Sequence, residues 1–231
     1  MLENKIYHKY CVIIPAYNAA DTISDLINVI HKVNPSLKIF VVDDGSTDGT
    51  FDNAKAFQQV SVYKHDFNRG KGEAIRTGIK EARSGGFHYA IFIDADLQHD
   101  PHLIKEFILI REQKDIDLVL GKRSFLKTKM PFHRILSNSI TSFMISLRTG
   151  LRVHDSQCGY RLVNISKVPI ENLKESGFQF ESEFLIKMLS SGLQYCEIPI
   201  PTIYDKSTSS INNLMDTIKF IRLYLKSYFW I

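Results

Sequence analysis

Short apolar runs alternate with segments of helical periodicity over the first 120 residues of this 231-residue chain. Between the runs, apolar residues recur at the spacing of one helix face, as from Ile23 to Ile30. Strands and helices that alternate in this way form βαβ units and a mostly parallel sheet. We therefore predict an α/β fold in a single domain. The predicted strands are Tyr10–Ile14, Lys38–Val42, Val60–Tyr63, Tyr89–Ile93 and Leu118–Leu120, and helices are predicted near 50–57, 72–83 and 102–114.

The pattern changes after residue 130, where helical segments become longer. Helices are predicted over Pro131–Leu151, Gly177–Leu189 and Asn212–Ile231, and a strand over Leu193–Ile200. The first and last of these helices are amphipathic and carry basic residues beside their apolar ones. Such helices either pack on the sheet or lie at a membrane surface.

Acidic residues follow several of the predicted strands directly. Open α/β sheets bind their ligands outside the carboxyl ends of the strands, so these residues should meet at one ligand site. Asp94-Ala95-Asp96 can bring two carboxylates to one hard cation, and Gln98 adds a neutral oxygen; Mg²⁺ takes such ligands together with phosphate oxygens and water. A solvated loop that caps the next helix would have the same sequence pattern.

The Asp43–Thr50 segment follows another strand and combines carboxylates with turn-forming glycines. Its carboxylates can accept hydrogen bonds from a nucleobase or a ribose, although turn and capping chemistry alone would also explain them. Arg69 and Lys71 at a helix start suit a phosphate. No glycine-rich dinucleotide fingerprint follows the first strand, and no P-loop pattern is present, which disfavours both of those nucleotide-binding classes.

Charge is unevenly distributed along the chain. Residues 1–120 carry 14 basic and 17 acidic side chains, whereas residues 121–175 carry ten basic and three acidic ones. No acidic residue occurs from Leu118 to His154. This basic block is either a solvated face or a surface for an anion such as a phosphate, a diphosphate or an acidic lipid headgroup. The total net charge of +4 is too small to indicate a nucleic-acid partner.

The cysteines and the N-terminus point to a cytoplasmic protein. Cys11, Cys158 and Cys196 are far apart and lack the spacing of a metal or redox site. The first residues have no apolar signal-peptide core, and no run approaches the roughly 18 apolar residues of a membrane span. We expect any membrane contact to be peripheral, at the cytoplasmic face.

These motifs together resemble those of family 2 glycosyltransferases, which have the GT-A fold. The resemblance runs in order through Val12–Asn18, Asp43–Asp48, Asn68–Gly72 and Asp94–Pro101. Later segments are similar to the branch that glycosylates dolichyl or polyprenyl phosphate: Gly121–Arg123, His133–Arg134 with Ser137, Asp155–Arg161, Phe178–Glu183 and Glu197–Ile200. The resemblance implies a nucleotide-sugar donor, a polyprenyl-phosphate acceptor and Mg²⁺ or Mn²⁺ as cofactor.

The resemblance also implies a role for each matching residue. The nucleotide-sugar would contact Pro15, Ala16, Tyr17, Asn18, Asp43, Asp44, Lys71, Asp94 and Ala95, and the metal would be bound by Asp94, Asp96 and Gln98. The catalytic set would be Asp96 at the metal, Arg123 and Arg134 at the acceptor phosphate, and Gln157 and Glu183 beside the sugar and acceptor. Residues 1–120 would form the donor half, 121–210 the acceptor half and 211–231 an amphipathic C-terminal helix.

The acceptor can also be considered from its charge. A sugar hydroxyl needs a general base, whereas a lipid phosphate is already an anion and needs cations to hold it. The acid-free block therefore favours direct attack by a lipid phosphate with inversion. It contains Lys122, Arg123, Lys127, Lys129, Arg134, Arg148 and Arg152.

Two other functions stay open. A family 2 enzyme could act on a saccharide hydroxyl in polysaccharide or cell-surface glycan synthesis, but it would not require the basic block. A catalytically idle nucleotide-sugar-binding or scaffolding subunit would not require intact Asp94 and Asp96. Many members of that branch carry further transmembrane helices after this point, and for this chain we expect peripheral anchoring or a membrane-embedded partner. Departures from the family pattern, such as Ala19 in place of an acid, leave the base and the sugar open.

Overall fold

The computed structural model describes residues 6–124, 130–177, 179–203 and 213–230, and they form one α/β domain. Seven strands form a single sheet in the order β3-β2-β1-β4-β6-β5-β7. The strands are β1 (Tyr10–Ala16), β2 (Lys38–Asp43), β3 (Val60–Lys64), β4 (Tyr89–Phe92), β5 (Leu118–Arg123), β6 (Arg161–Asn164) and β7 (Tyr195–Ile200). The helices are α1 (Ile23–Val33), α2 (Thr50–Lys55), α3 (Lys71–Ser84), α4 (Ile104–Lys114), α5 (Phe132–Thr149), α6 (Gln179–Ser190) and α7 (Asn213–Ser227).

Helices cover both faces of the sheet because its central strands are apolar on both sides. Every residue of β1 is buried. Since successive side chains of a strand point to opposite faces, Val12 packs with α1 and α4 residues, whereas Ile13 packs with residues of α3 and α6. The doubly covered sheet confirms the predicted fold class.

The sequence patterns predicted all of these strands except β6. This strand has only four residues and runs antiparallel to both of its neighbours, β4 and β5. Only Leu162 and Val163 at its centre are apolar, which is too short a signal to distinguish a strand from a loop. Its stability comes from neighbours distant in sequence, which no local pattern reports.

The strand directions bring three segments to one edge of the sheet. Phe92, at the carboxyl end of β4, pairs with Arg161, the first residue of the antiparallel β6. Arg161 also pairs with Leu120 of β5, just before Gly121–Arg123. The end of β4, the end of β5 and the loop that precedes β6 therefore meet at this edge.

The helices α5 and α7 leave apolar residues exposed. Within the described ranges no helix is both long and apolar enough to cross a membrane. On α5 the exposed residues recur every three or four positions and form one stripe, which we call the α5 stripe: Phe132, Leu136, Ile140, Phe143 and Leu147. On α7 they are Met215, Ile218, Ile221 and Leu225.

Candidate active site

The turns after β1 and β2 bond to each other at the carboxyl edge of the sheet. Asn18 has a left-handed backbone (φ 49°); its N–H donates to Ser46 Oγ (2.9 Å), and its Oδ1 accepts from the Thr47 N–H (3.0 Å). Asp43 is fully buried and its Oδ1 accepts from the Ser46 N–H (3.0 Å). Its Oδ2 has no hydrogen-bond partner among the described residues. Pro15 and Ala16 are buried, and Tyr17 is half-exposed.

Asp44 fixes the loop before α3. Its carboxylate accepts from the backbone N–H groups of Arg69 (2.9 Å) and Gly70 (2.7 Å). The His65 ring lies between Asp44 and the Thr77 hydroxyl, with its nitrogens 2.7 and 3.0 Å from those oxygens. Asp44 is buried, so its carboxylate serves to hold the loop that leads into α3.

Four charged side chains meet where β4 ends. Lys71, the first residue of α3, places its Nζ 2.7 and 2.9 Å from the two Asp94 oxygens and 2.6 Å from Glu181 Oε1. The other Glu181 oxygen accepts from the guanidinium of Arg161. Burial opposes ionisation of Asp94, but the Lys71 ammonium lowers the pKa of this carboxyl below its usual value. Burial likewise opposes protonation of Lys71, but the two carboxylates raise its pKa. Ala95 is buried behind the turn.

Asp96 and Gln98 complete the turn. Asp96 Oδ1 accepts from the Gln98 N–H (3.0 Å). Desolvation, and then the nearby Asp94 charge, raise the pKa of Asp96. Burial lowers the pKa of His99 to about 4, and its Nδ1 has no hydrogen-bond partner among the described residues. A cation at this turn would relieve the repulsion between the two carboxylates.

These residues fit a divalent ion that a ligand helps to hold. In the part of the chain that the structure describes, no group of three or more His, Cys, Asp or Glu side chains could hold a metal. Two carboxylates and an amide oxygen are, however, the hard donors that Mg²⁺ or Mn²⁺ uses when phosphate oxygens and water complete its shell.

On the other side of the site, Arg123 forms a two-point ion pair with Asp155. Its Nε lies 2.8 Å from Oδ2 and its Nη2 2.9 Å from Oδ1, while Asn138 Nδ2 also donates to Oδ1 (2.9 Å). Burial alone would raise the pKa of Asp155, but Arg123 lowers it. Arg134 is half-buried in the first turn of α5, and Gln157 is exposed in the loop before β6.

Glu183 and Glu181 of α6 differ in their contacts. The Glu183 carboxylate is buried and accepts from the backbone N–H groups of Lys174 (2.8 Å) and Glu175 (2.7 Å) and from Lys187 Nζ (2.6 Å). Glu181 contacts Lys71, as described above. Both lie in the Phe178–Glu183 motif; the resemblance predicted a site role for Glu183, whereas Glu181 is the one whose carboxylate contacts Lys71.

Some residues of the basic block lie away from the carboxyl edge of the sheet, and others lie outside the described residues. Arg148 donates to the Ser227 side chain (3.0 Å) and backbone and lies over the Tyr228 ring, so it fastens the end of α7 to α5. Lys127, Lys129 and Phe178 lie outside the described residues, as do Asn212 and Ile231 at the ends of the predicted last helix.

A family model for glycosyl transferase family 2 matches residues 11–168, which carry the turns after β1, β2 and β4, Arg123 and the loop before β6. This chain belongs to that family. The chain is therefore a glycosyltransferase, as its motifs predicted.

Named relatives cover most of the chain. It is 34% identical over 229 residues to a UDP-N-acetylglucosamine–dolichyl-phosphate N-acetylglucosaminyltransferase of Methanococcus voltae, covering 88% of each protein. It is 26% identical over 200 residues to a polyprenol monophosphomannose synthase of Mycolicibacterium smegmatis, covering 82% of this chain and 75% of that protein.

Solved structures support the GT-A fold. The glucosyl-3-phosphoglycerate synthase of Mycobacterium tuberculosis matches 97% of this chain and 82% of its own, with a TM-score of 0.74 and 20% identity. The same enzyme with Mn²⁺, UDP and glucosyl-3-phosphoglycerate matches with a TM-score of 0.72 and 19% identity. At this identity the likeness concerns the fold.

Glu183→Gln should destabilise the protein. The amide would keep one acceptor oxygen but would present its own N–H groups to backbone donors. We expect the free energy of unfolding to fall by about 2–3 kcal/mol, because hydrogen bonds to charged groups are among the stronger ones in proteins. Thermal and urea unfolding measure this loss, and Glu171→Gln, at an exposed position, is the control. A fall in turnover at unchanged stability would instead support the predicted position of Glu183 beside the sugar.

Proposed function

We propose that this chain transfers a sugar from a nucleotide-sugar of the GDP-mannose or UDP-glucose type to a polyprenyl or dolichyl phosphate at a membrane surface. The observation that carries the proposal is one arrangement: Asp155 in the loop before β6 holds Arg123, and Gly159 of the same loop lies against Asp94 at the carboxylate turn. From this arginine the basic block continues into α5 with its apolar stripe. Relatives named for dolichyl-phosphate and polyprenol acceptors support the same substrate class.

The donor would lie along the turns after β1, β2 and β4. The buried Asp43 Oδ2 has Lys64 Nζ at 3.8 Å but no hydrogen-bond donor among the described residues, and a nucleobase N–H would supply one. Asp44 would act indirectly, by holding the Arg69–Gly70 backbone, since its own oxygens are already bonded. Lys71 would keep Asp94 ionised beside the diphosphate. Pro15 to Asn18 would form the wall of the nucleoside pocket.

Asp96, with Asp94 and Gln98, would hold Mg²⁺ or Mn²⁺. When bound, the ion would act as a Lewis acid that neutralises negative charge on the departing nucleoside diphosphate. The chain's own contribution is the pair of carboxylates, one kept ionised by Lys71 and the other oriented by the Gln98 N–H. Their mutual repulsion favours a cation between them.

The acceptor phosphate would attack the anomeric carbon directly, with inversion. An anionic phosphate needs no general base, so the site must hold and orient it without neutralising it fully. Arg123 suits this because its pairing with Asp155 fixes the plane of its guanidinium. Arg134, in the first turn of α5, would be the second phosphate contact, and Gln157 lies in the loop nearby.

The acceptor assignment is tested by offering each donor with several acceptors. Purified protein with Mg²⁺ or Mn²⁺ should form product from GDP-mannose, UDP-glucose or UDP-N-acetylglucosamine with polyprenyl phosphate. Parallel reactions contain a simple saccharide, 3-phosphoglycerate or no acceptor. Transfer to a saccharide or to 3-phosphoglycerate with no lipid-linked product would contradict the proposal and favour a hydroxyl acceptor.

Asp96→Asn should abolish turnover while the protein still unfolds cooperatively, because the amide removes one negative ligand. A binding measurement separates this effect from misfolding. Mn²⁺ should tighten UDP or GDP binding to the wild type at least tenfold and have little effect on the variant. Asp52→Asn, on the exposed side of α2, is the control. Metal-stimulated nucleotide binding that survives in Asp96→Asn would contradict the metal role.

The exposed apolar residues of α5 should bind a lipid surface. Phe143→Ser with Leu147→Ser should weaken partition into anionic vesicles roughly 30- to 1000-fold, since each side chain contributes on the order of 1–2 kcal/mol when buried. Both residues are about two-thirds exposed, at 68% and 66%, so thermal stability should hardly change. Leu109→Ser, at a 56% exposed position on α4, is the matched control. Equal loss in the control would mean that the α5 stripe has no special role.

A further inference from the structure

A continuous series of polar contacts crosses the site from the donor side to the acceptor side. It starts at Asp94, passes through Lys71 (2.7 Å) to Glu181 (2.6 Å), and continues to Arg161. These four residues belong to the end of β4, the start of α3, helix α6 and the start of β6. Two cations and two carboxylates alternate, so each charge has an opposite neighbour.

Arg161 extends this series into the loop before β6. Its Nε donates to the Cys158 carbonyl (2.7 Å) and its Nη2 to the Ser156 carbonyl (2.9 Å). Arg161 is only 2% exposed, so these contacts have no competition from bulk water. Ser156 directly follows Asp155, whose carboxylate holds Arg123. The contacts therefore run from the donor carboxylate Asp94 to the arginine proposed to bind the acceptor phosphate.

The same loop also packs closely against the proposed donor side, at Gly159. A Cβ atom added to Gly159 would lie 2.5 Å from Asp94 Oδ2 and 2.8 Å from Lys71 Nζ. Any larger residue at this position would displace the Asp94 carboxylate and the Lys71 ammonium. The loop cannot shift without disturbing Asp94 and Lys71.

We propose that Arg161 and Glu181 are positioning residues that set the acceptor-side arginine against the donor-side carboxylates. The inference rests on the proposed function and assigns it two further residues, neither of which would touch substrate. Arg161 bonds two carbonyls and a carboxylate at once through its planar fork, which the single ammonium of a lysine cannot reproduce. Loss of that fork lets the 155–160 loop, and with it Arg123, move away from the donor.

A positioning role predicts different effects on the rate of sugar transfer and on nucleotide affinity. A misplacement of about 1 Å at a reacting group can cost roughly 100-fold in rate. The nucleoside turns, in contrast, bond among themselves through Asn18, Ser46 and Asp44 and do not depend on Arg161. Variants of the positioning residues should therefore lower kcat for transfer and leave nucleotide affinity nearly unchanged.

Arg161→Lys tests the inference, with Arg76→Lys as a matched control. Arg76 has the same set of partners elsewhere on the protein, two carbonyls (Leu173, 3.1 Å, and Glu175, 2.8 Å) and one carboxylate (Glu73, 2.6 Å). In Arg161→Lys we expect kcat for polyprenyl phosphate to fall 10- to 100-fold, with donor KM and UDP or GDP affinity within about threefold. Farnesyl phosphate binding should weaken about tenfold. In Arg76→Lys, kcat and farnesyl phosphate binding should stay within about threefold of wild type.

Glu181→Gln is the second variant, and it keeps the side-chain shape if Arg161→Lys does not fold. Its amide oxygen can still accept from Lys71 Nζ, which also keeps its ion pair with Asp94, so it should show the same division between kcat and nucleotide affinity. Because both residues act through one series of contacts, the double variant should lose no more than about threefold beyond the more impaired single variant. Independent, multiplying losses would contradict a shared role.

The outcomes distinguish this inference from the proposed function. Wild-type transfer to polyprenyl phosphate with undiminished kcat in Arg161→Lys and Glu181→Gln overturns the positioning role alone. Loss of nucleotide affinity in parallel with kcat also overturns it, because it indicates general damage to the site. A wild type that neither binds farnesyl phosphate nor forms lipid-linked product contradicts the proposed function, and the positioning role is rejected with it.

Discussion

The ion pair between Lys71 and Asp94 is the interaction on which the site depends. A carboxylate at the buried end of a strand would tend to take up a proton, and the Lys71 ammonium keeps Asp94 ionised instead. The same lysine would itself be costly to bury with one partner, and Glu181 supplies a second. Such buried pairs add little to stability compared with well-packed apolar residues, but they hold charges in defined positions. Here they hold the ionised Asp94 carboxylate at the turn where the proposed cation and diphosphate would bind.

The direction of β6 makes this arrangement possible. Were β6 parallel to β4, its first residue would lie at the opposite edge of the sheet. Because it is antiparallel, Arg161 pairs with Phe92 at the carboxyl edge, two residues before Asp94. The loop before β6 then reaches the site, with Asp155 and its partner Arg123 at one end and Gly159 against Asp94 at the other. One short strand thereby joins the two halves of the site.

The turns that carry the predicted donor residues could be located from the sequence because their signals are local. Asp43, Asp44, Asp94 and Asp96 each follow an apolar strand, and strand ends are readable from periodicity. The features that the sequence did not predict depend on contacts distant in sequence: β6 is too short to show a pattern, and Arg161 meets its carboxylate partner, Glu181, on α6. The choice between Glu181 and Glu183 shows the same limit. Residues two apart on a helix point about 200° apart, so one reaches Lys71 and the other the 174–175 backbone, and spacing alone does not say which.

The proposed acceptor side differs physically from the proposed donor side, and the difference favours an oily phosphate. The proposed donor turns are polar and bonded to each other, through Asn18 and Ser46 and through Lys71 and Asp94. On the proposed acceptor side, the basic residues of the sequence are followed by α5. The exposed stripe of this helix extends about 22 Å from Phe132 to Leu147, at about 1.5 Å per residue. Arginine tolerates such a boundary because its long apolar stem can lie along lipid while its charge stays at the polar surface. A saccharide acceptor would gain nothing from an apolar stripe beside its site, whereas a phosphate on a prenyl chain needs a cation and an apolar surface close together.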